Sequence, residues 1–203
     1  MSKGDQTRQR IVTEAAGLFN KQGFAGSSMA DLMEATGLEK GGIYRHFSSK
    51  EELAAEAFDY AWQAATDARM HDLDSVPNSV DRLKRFISNF VERRSPVPGG
   101  CPLLNTAIEA DDGNPVMRER ARSALHQWQS RLNAITASGI RKGEIRKGLS
   151  PKKLAILMVS SLEGALMISR LERSEEALRG VEAHLIDYLE AEVRSQKSRR
   201  TAR

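Results

Sequence analysis

No proline occurs before Pro77, and each of the six prolines stands at a break in the chain or at the start of a helix-like stretch. A proline inside a helix costs about 3 kcal/mol, so its absence from so long a stretch leaves helix open throughout. Strand is closed off by a second observation. No run alternates apolar and β-branched residues over strand length, and the one Asp-Gly pair, Asp112-Gly113, lies between helical stretches rather than strand-like ones. Apolar residues recur instead at spacings of three and four, which dictates an all-α fold.

Start and stop residues then divide the chain into about nine helices. The first covers about 7–22, with Ile11, Ala15, Leu18 and Phe19 on one face and Gly23 as its end. The second opens on Ser28, with Asp31 three residues on as a capping box, and stops at Gly37. A short third spans about 40–47. Ser49 with Glu52 starts a long fourth, to about 70. Helices at about 80–94, 102–110, 115–138, 151–171 and 174–193 complete the order. Asn114-Pro115 and Ser150-Pro151 each place a cap before a proline at the first helical position.

Composition narrows the class. Hydrophobic residues are 40% and charged residues 29% of 203, enough apolar material for a packed core. The net charge of +4 is concentrated in Arg194, Lys197, Arg199, Arg200 and Arg203, and without them the chain is close to neutral. That basic tail, 194–203, reads as a solvated, disordered terminus, with a phosphate-contacting arm as the alternative. A single cysteine, Cys101, precludes an intrachain disulfide and suits a reducing, cytoplasmic compartment. The first residues lack the apolar stretch of a leader peptide. The most apolar run, 154–168, carries Glu163 and is shorter than the roughly 20 residues that span a bilayer, so no membrane segment is expected.

The segment 28–47 is a capped helix, a glycine turn and a second short helix, the pattern of a helix-turn-helix unit. Leu32, Leu38, Ile43 and Phe47 are spaced to hold its two helices together. Lys40, Gly41, Gly42, Tyr44, Arg45 and His46 remain on the outer side. Those residue types suit duplex DNA. Lys40 and Arg45 can reach phosphates or guanine edges, the two glycines allow close backbone approach, and Lys50 stands ready at the next helix for another phosphate. The glycines also weaken the short helix by about 1 kcal/mol each relative to alanine.

Gly23-Phe24, Leu32, Gly37, the run from Lys40 to Phe47, and Lys50-Glu51-Glu52-Leu53 together resemble the tetracycline-repressor-like (TetR) family of transcriptional regulators. The likeness is continuous over about 7–53. It implies a helix-turn-helix DNA-binding head over 1–53 and a helical ligand-binding and dimerisation body over 54–193. It further implies a repressor that binds a palindromic operator as a homodimer and is released by a small-molecule effector. Positions matching Ser28, Lys40, Gly42, Tyr44, Arg45, His46 and Lys50 touch DNA in such proteins. Glu39 departs from the family habit of a small hydroxyl residue at the start of the recognition helix.

The body resembles the family mainly in helix count. Phe58, Trp62, Phe86, Phe90, Leu104, Ile108, Trp128 and Met158 lie on helices that surround the ligand cavity in similar proteins, although each also reads as ordinary core. Asn105, Glu109 and His126 are further polar candidates. The expected contacts to an apolar effector are Trp62, Phe90, Cys101, Leu104, Asn105, Ile108, Trp128 and Met158. Cys101 reads first as a small buried hydrophobe and second as an electrophile sensor. The eighth helix is apolar nearly all round, and the ninth carries one apolar stripe. Two copies of that pair would build a four-helix interface from Leu157, Ser161, Gly164, Ala165, Ile168, Leu178, Val181, Leu185 and Leu189.

Other classes find little support. There is no glycine-rich phosphate loop, no nucleophile elbow and no His or Cys pairing at metal spacing, so no enzyme, cofactor or metal is expected. A protein-binding adaptor would present a more apolar face than Lys40, Tyr44, Arg45, His46 and Lys50.

Overall fold

A computed structural model describes residues 2–93 and 95–196. Its nine α-helices are α1 (Lys3–Gly26), α2 (Met29–Thr36), α3 (Lys40–Tyr44), α4 (Lys50–Met70), α5 (Ser79–Glu92), α6 (Pro102–Ala110), α7 (Pro115–Lys142), α8 (Pro151–Glu172) and α9 (Glu176–Tyr188). A 3-10 turn at Leu73–Ser75 and a wider π turn at Leu189–Val193 complete the order, and no strand is present among the described residues.

The caps explain most boundaries. The Ser28 hydroxyl accepts from the Asp31 amide and the Asp31 carboxylate accepts from the Ser28 amide, while Gly37 closes α2 in the left-handed conformation. The Asn78 and Asn114 side-chain oxygens cap α5 and α7 one way, accepting from the Val80 and Asp81 amides and from the Val116 and Met117 amides. Three helices differ from the sequence expectation. A capping box between Ser2 and Asp5 starts α1 earlier, and the helix resumes after a kink at Gly23, where φ is 79°. The third helix closes at Tyr44, and Arg45 and His46 form a turn that carries Phe47 inward. Helix α7 runs past Gly139, whose missing Cβ leaves room for Ile145 and Ser79, and ends at the positive-φ Gly143.

The helices pack as two compact units; the chain passes between them inside α4, between α5 and α6, and inside α7. Unit 1 combines Met1–Thr66 with Ser95–Leu125. The expected head boundary at residue 53 therefore falls inside unit 1. Its core gathers Ile11, Val12, Ala15 and Ala16 of α1, Leu32 of α2, Ile43 of α3, Phe47, Leu53, Ala57 and Ala61 of α4, and Val97. Leu18 and Phe19, expected inside, are half-buried against it.

Unit 2 combines Asp67–Arg94 with His126–Arg203. Here α9 packs on α5 and α8. Phe86 and Phe90 pack on Trp128, and the Arg69 guanidinium lies 4.6 Å from the ring centres of both Phe90 and Trp128. Arg194 corrects an expectation. Placed by sequence at the start of a solvated tail, it is buried and bonded to Asp81, Asn78 and Glu190, and it bridges backbone with Ile145. The rest of the expected tail, from Lys197, lies outside the described residues.

Candidate nucleic-acid interface

Helix α3 is only five residues long, so its position depends on what surrounds it. Arg10 donates to the Thr36 carbonyl at the end of α2 (2.7 Å). Arg8 pairs with Glu52 and Glu56 on α4 and stacks 4.5 Å over the Phe47 ring. Glu52 also accepts from the Ser48 amide (2.7 Å) and hydroxyl (2.5 Å), and the hydroxyl bond holds its carboxyl below the usual glutamate range. These bonds tie α1, α2 and α4 into a frame, and Ile43 anchors α3 to its core with 1% exposure.

Outward from that anchor stand Lys40, Gly41, Tyr44 and Arg45, all exposed. The Lys40 ammonium is 5.9 Å from the Tyr44 ring centre, and nothing lies within 4 Å of the position a Gly41 Cβ would take. Gly42 is half-buried and faces Leu38. His46 is half-buried in the turn after α3. The Ser28 hydroxyl is engaged with Asp31 in the cap of α2. Glu39 occupies the N-cap of α3 without a side-chain cap bond. Lys50 turns inward. Its Nζ donates to the Phe24 carbonyl (2.5 Å) and lies 4.2 Å from the Phe24 ring centre.

A cavity of about 270 Å³ opens in unit 1 among α1, α4, α6 and the start of α7. None of the eight residues expected to contact an effector lines it, but Phe58 and Glu109 do. Trp62 is buried, Leu104 is half-buried and Ile108 is 67% exposed. The Asn105 amide is used structurally, donating to Gly99 and Asn20. Cys101 is 1% exposed at the N-cap of α6. Phe90, Trp128 and Met158 belong to the core of unit 2, and His126 is exposed there.

The expected interface residues separate into two sets. Ala165, Leu178, Leu185 and Leu189 are buried within unit 2 itself, because the α9 stripe faces α5 and α8. Leu157 and Ile168 are exposed on α8, Ser161, Gly164 and Val181 are half-buried, and Ile156, Met167 and Leu171 extend the exposed apolar set. By length and composition α8 could cross a membrane, as the core helix of a soluble protein often could.

Residues 11–57 match the family described as bacterial regulatory proteins, tetR family, and residues 79–185 match the tetracyclin repressor-like C-terminal domain. The HTH-type transcriptional repressor DhaR of Mycobacterium sp. strain GP1 is 27% identical, over 84% of this chain and 86% of its own. A TetR transcriptional regulator from Chloroflexus aurantiacus is 44% identical with a TM-score of 0.91, over 96% of this chain and all of that one. A TetR-family regulator from Cytophaga hutchinsonii is 36% identical with a TM-score of 0.87, over 93% and 96%.

Proposed function

The chain belongs to the TetR family of helix-turn-helix transcriptional regulators, and from that premise we propose that it is a cytoplasmic repressor that binds a palindromic operator as a homodimer and is released by a small, largely apolar effector. The reading rests on one observation above the others: Lys40, Tyr44 and Arg45 are exposed together on a short helix whose inner side is fixed by Ile43. In this reading residues 1–53 read DNA, with Ser28 positioning α2 and Gly41, Gly42 and His46 completing the groove-facing set. Residues 54–193 hold the effector and the partner subunit.

The Lys50 ammonium has three donors and spends one on Phe24, so a phosphate can take another without breaking the first bond. Two-fold symmetry supplies the second α3, roughly 34–36 Å away in the next major groove. The exposed apolar residues of α8 are the surface that a second copy would cover. The role assigned is binding, with no catalytic step.

Duplexes enriched from a random pool on the purified protein provide the operator for the test. Tyr44→Ala and Lys50→Ala are each expected to weaken binding at least tenfold. Lys50→Ala should also lower the slope of log affinity against log salt by about 1, the signature of one lost phosphate contact. Retained affinity in both variants rejects the assignment.

A further inference from the structure

We propose that the unit 1 cavity is a site for a small organic cation with an aromatic or alkyl body, and that such a cation acts on DNA binding through Glu109. The inference rests on the effector-responsive reading above and adds to it a place, a ligand class and a route. At about 270 Å³ the cavity lies near the low end of the roughly 300–1,000 Å³ usual for small-molecule pockets. Alanines 16, 54, 57 and 61 leave the space open, and Phe19, Phe24 and Phe58 contribute ring surface to its walls. Glu109 is the one charged residue on the lining among the described residues. Glu109 is itself exposed, at the rim of the cavity, and a carboxylate there beside phenyl rings attracts an ammonium group by charge and by the negative faces of the rings.

The route to DNA begins at the same carboxylate. Beyond the Gly23 kink, the Phe24 and Ala25 amides donate to its two oxygens at 2.9 and 2.7 Å. Phe24 in turn offers its carbonyl to Lys50. Three residues after Ala25 stands Ser28, the cap of α2. Each Glu109 oxygen keeps a lone pair that an ammonium can use. A cation that draws the carboxylate into the cavity competes with the two amides that hold this corner, and so moves the start of α2 and the Lys50 tie together. A ligand shifts such an equilibrium only as far as it prefers one arrangement over the other.

Phenylalkylamines from benzylamine to 5-phenylpentylamine, with alcohols of matching length as neutral controls, are titrated into the DNA-free protein by calorimetry and thermal shift. At least one amine is expected to bind saturably and at least tenfold more tightly than its alcohol. Glu109→Gln should bring the amine down to the alcohol's affinity. Thr106→Phe, which fills the cavity from α6, should abolish both, and it carries the comparison if the Glu109 variant fails to fold. On the enriched duplex, the amine should weaken wild-type binding at least tenfold and leave Glu109→Gln unaffected. Absence of saturable binding by every amine, equal binding of amine and alcohol, or amine binding unchanged by Thr106→Phe overturns the site. Amine binding with unaltered duplex affinity overturns the route through Glu109. A protein that binds the amine as stated but no duplex supports the site and overturns only the regulator reading.

Discussion

At Gly23 two requirements meet in one residue. Its φ of 79° lies in the left-handed region, and the position of a Cβ there would be 2.7 and 2.8 Å from the Glu109 oxygens. Gly37 also has positive φ, 63°, but nothing stands within 4 Å of its missing Cβ. Gly37→Ala should therefore cost only the backbone penalty of about 1–2 kcal/mol. Gly23→Ala should cost about 1 kcal/mol more, because the carboxylate must also leave the Phe24 and Ala25 amides, which then turn to water. Urea denaturation of the two variants measures the difference. Gly37 was legible in the sequence because everything that defines it, from Ser28 to Leu38, is local. Gly23 read as a plain helix end, since the carboxylate that sustains the kink, Glu109, is 85 residues from Phe24 in sequence. Lys50 was legible as a residue with a role, but its inward partner, the Phe24 carbonyl, was not.

At the scale of elements, an apolar stripe announces burial without naming the surface that buries it. Leu178, Leu185 and Leu189 of the α9 stripe suit a subunit interface and an internal core equally well in sequence, and the fold assigns them to the core. Helix α8 is apolar on more sides, so one face serves that core while Leu157 and Ile168 stay outside. The turn after α9 was legible only as the end of the ninth helix, and Arg194 only as the start of a tail. The turn's stability comes from Glu190, which bonds Arg194 (2.7 Å) and Lys84 (2.8 Å). The Arg194 hydrogen bonds draw the Glu190 carboxyl down to about 2 from an ordinary 4.5, with Lys84 adding to the pull and burial opposing it. A carboxyl lower in the folded than in the unfolded state stabilises the fold above its unfolded value, and that contribution fades as pH falls toward the folded one. Melting temperatures followed by circular dichroism should therefore fall between pH 5 and pH 3. Glu190→Gln should melt lower at pH 7 and lose part of that fall.

For the whole molecule, the helix order and the helix-turn-helix unit could be read from caps, glycines and period. The cavity could not, because its walls come from α1, α4, α6 and α7 and no local pattern marks their meeting. The subunit interface proposed on α8 is tested through Ile168, 46% exposed and outside the unit 2 core. Ile168→Glu should leave the helical content unchanged, convert the protein to single chains in sedimentation velocity, and weaken operator binding at least a hundredfold, because each half-site is then held by one α3 alone. A variant that still sediments as a dimer would move the interface elsewhere.

Unit 1 draws on two separate stretches of chain, and the second of them, Ser95–Leu125, supplies Glu109 and the loop whose Pro98 and Gly100 carbonyls bind Asn20. A chimaera that exchanges reading heads between relatives by cutting after residue 53 would thus leave the donor's α1 corner facing a foreign α6. Grafts intended to keep operator preference should transplant both stretches as a pair, although the sequence between them belongs to the recipient.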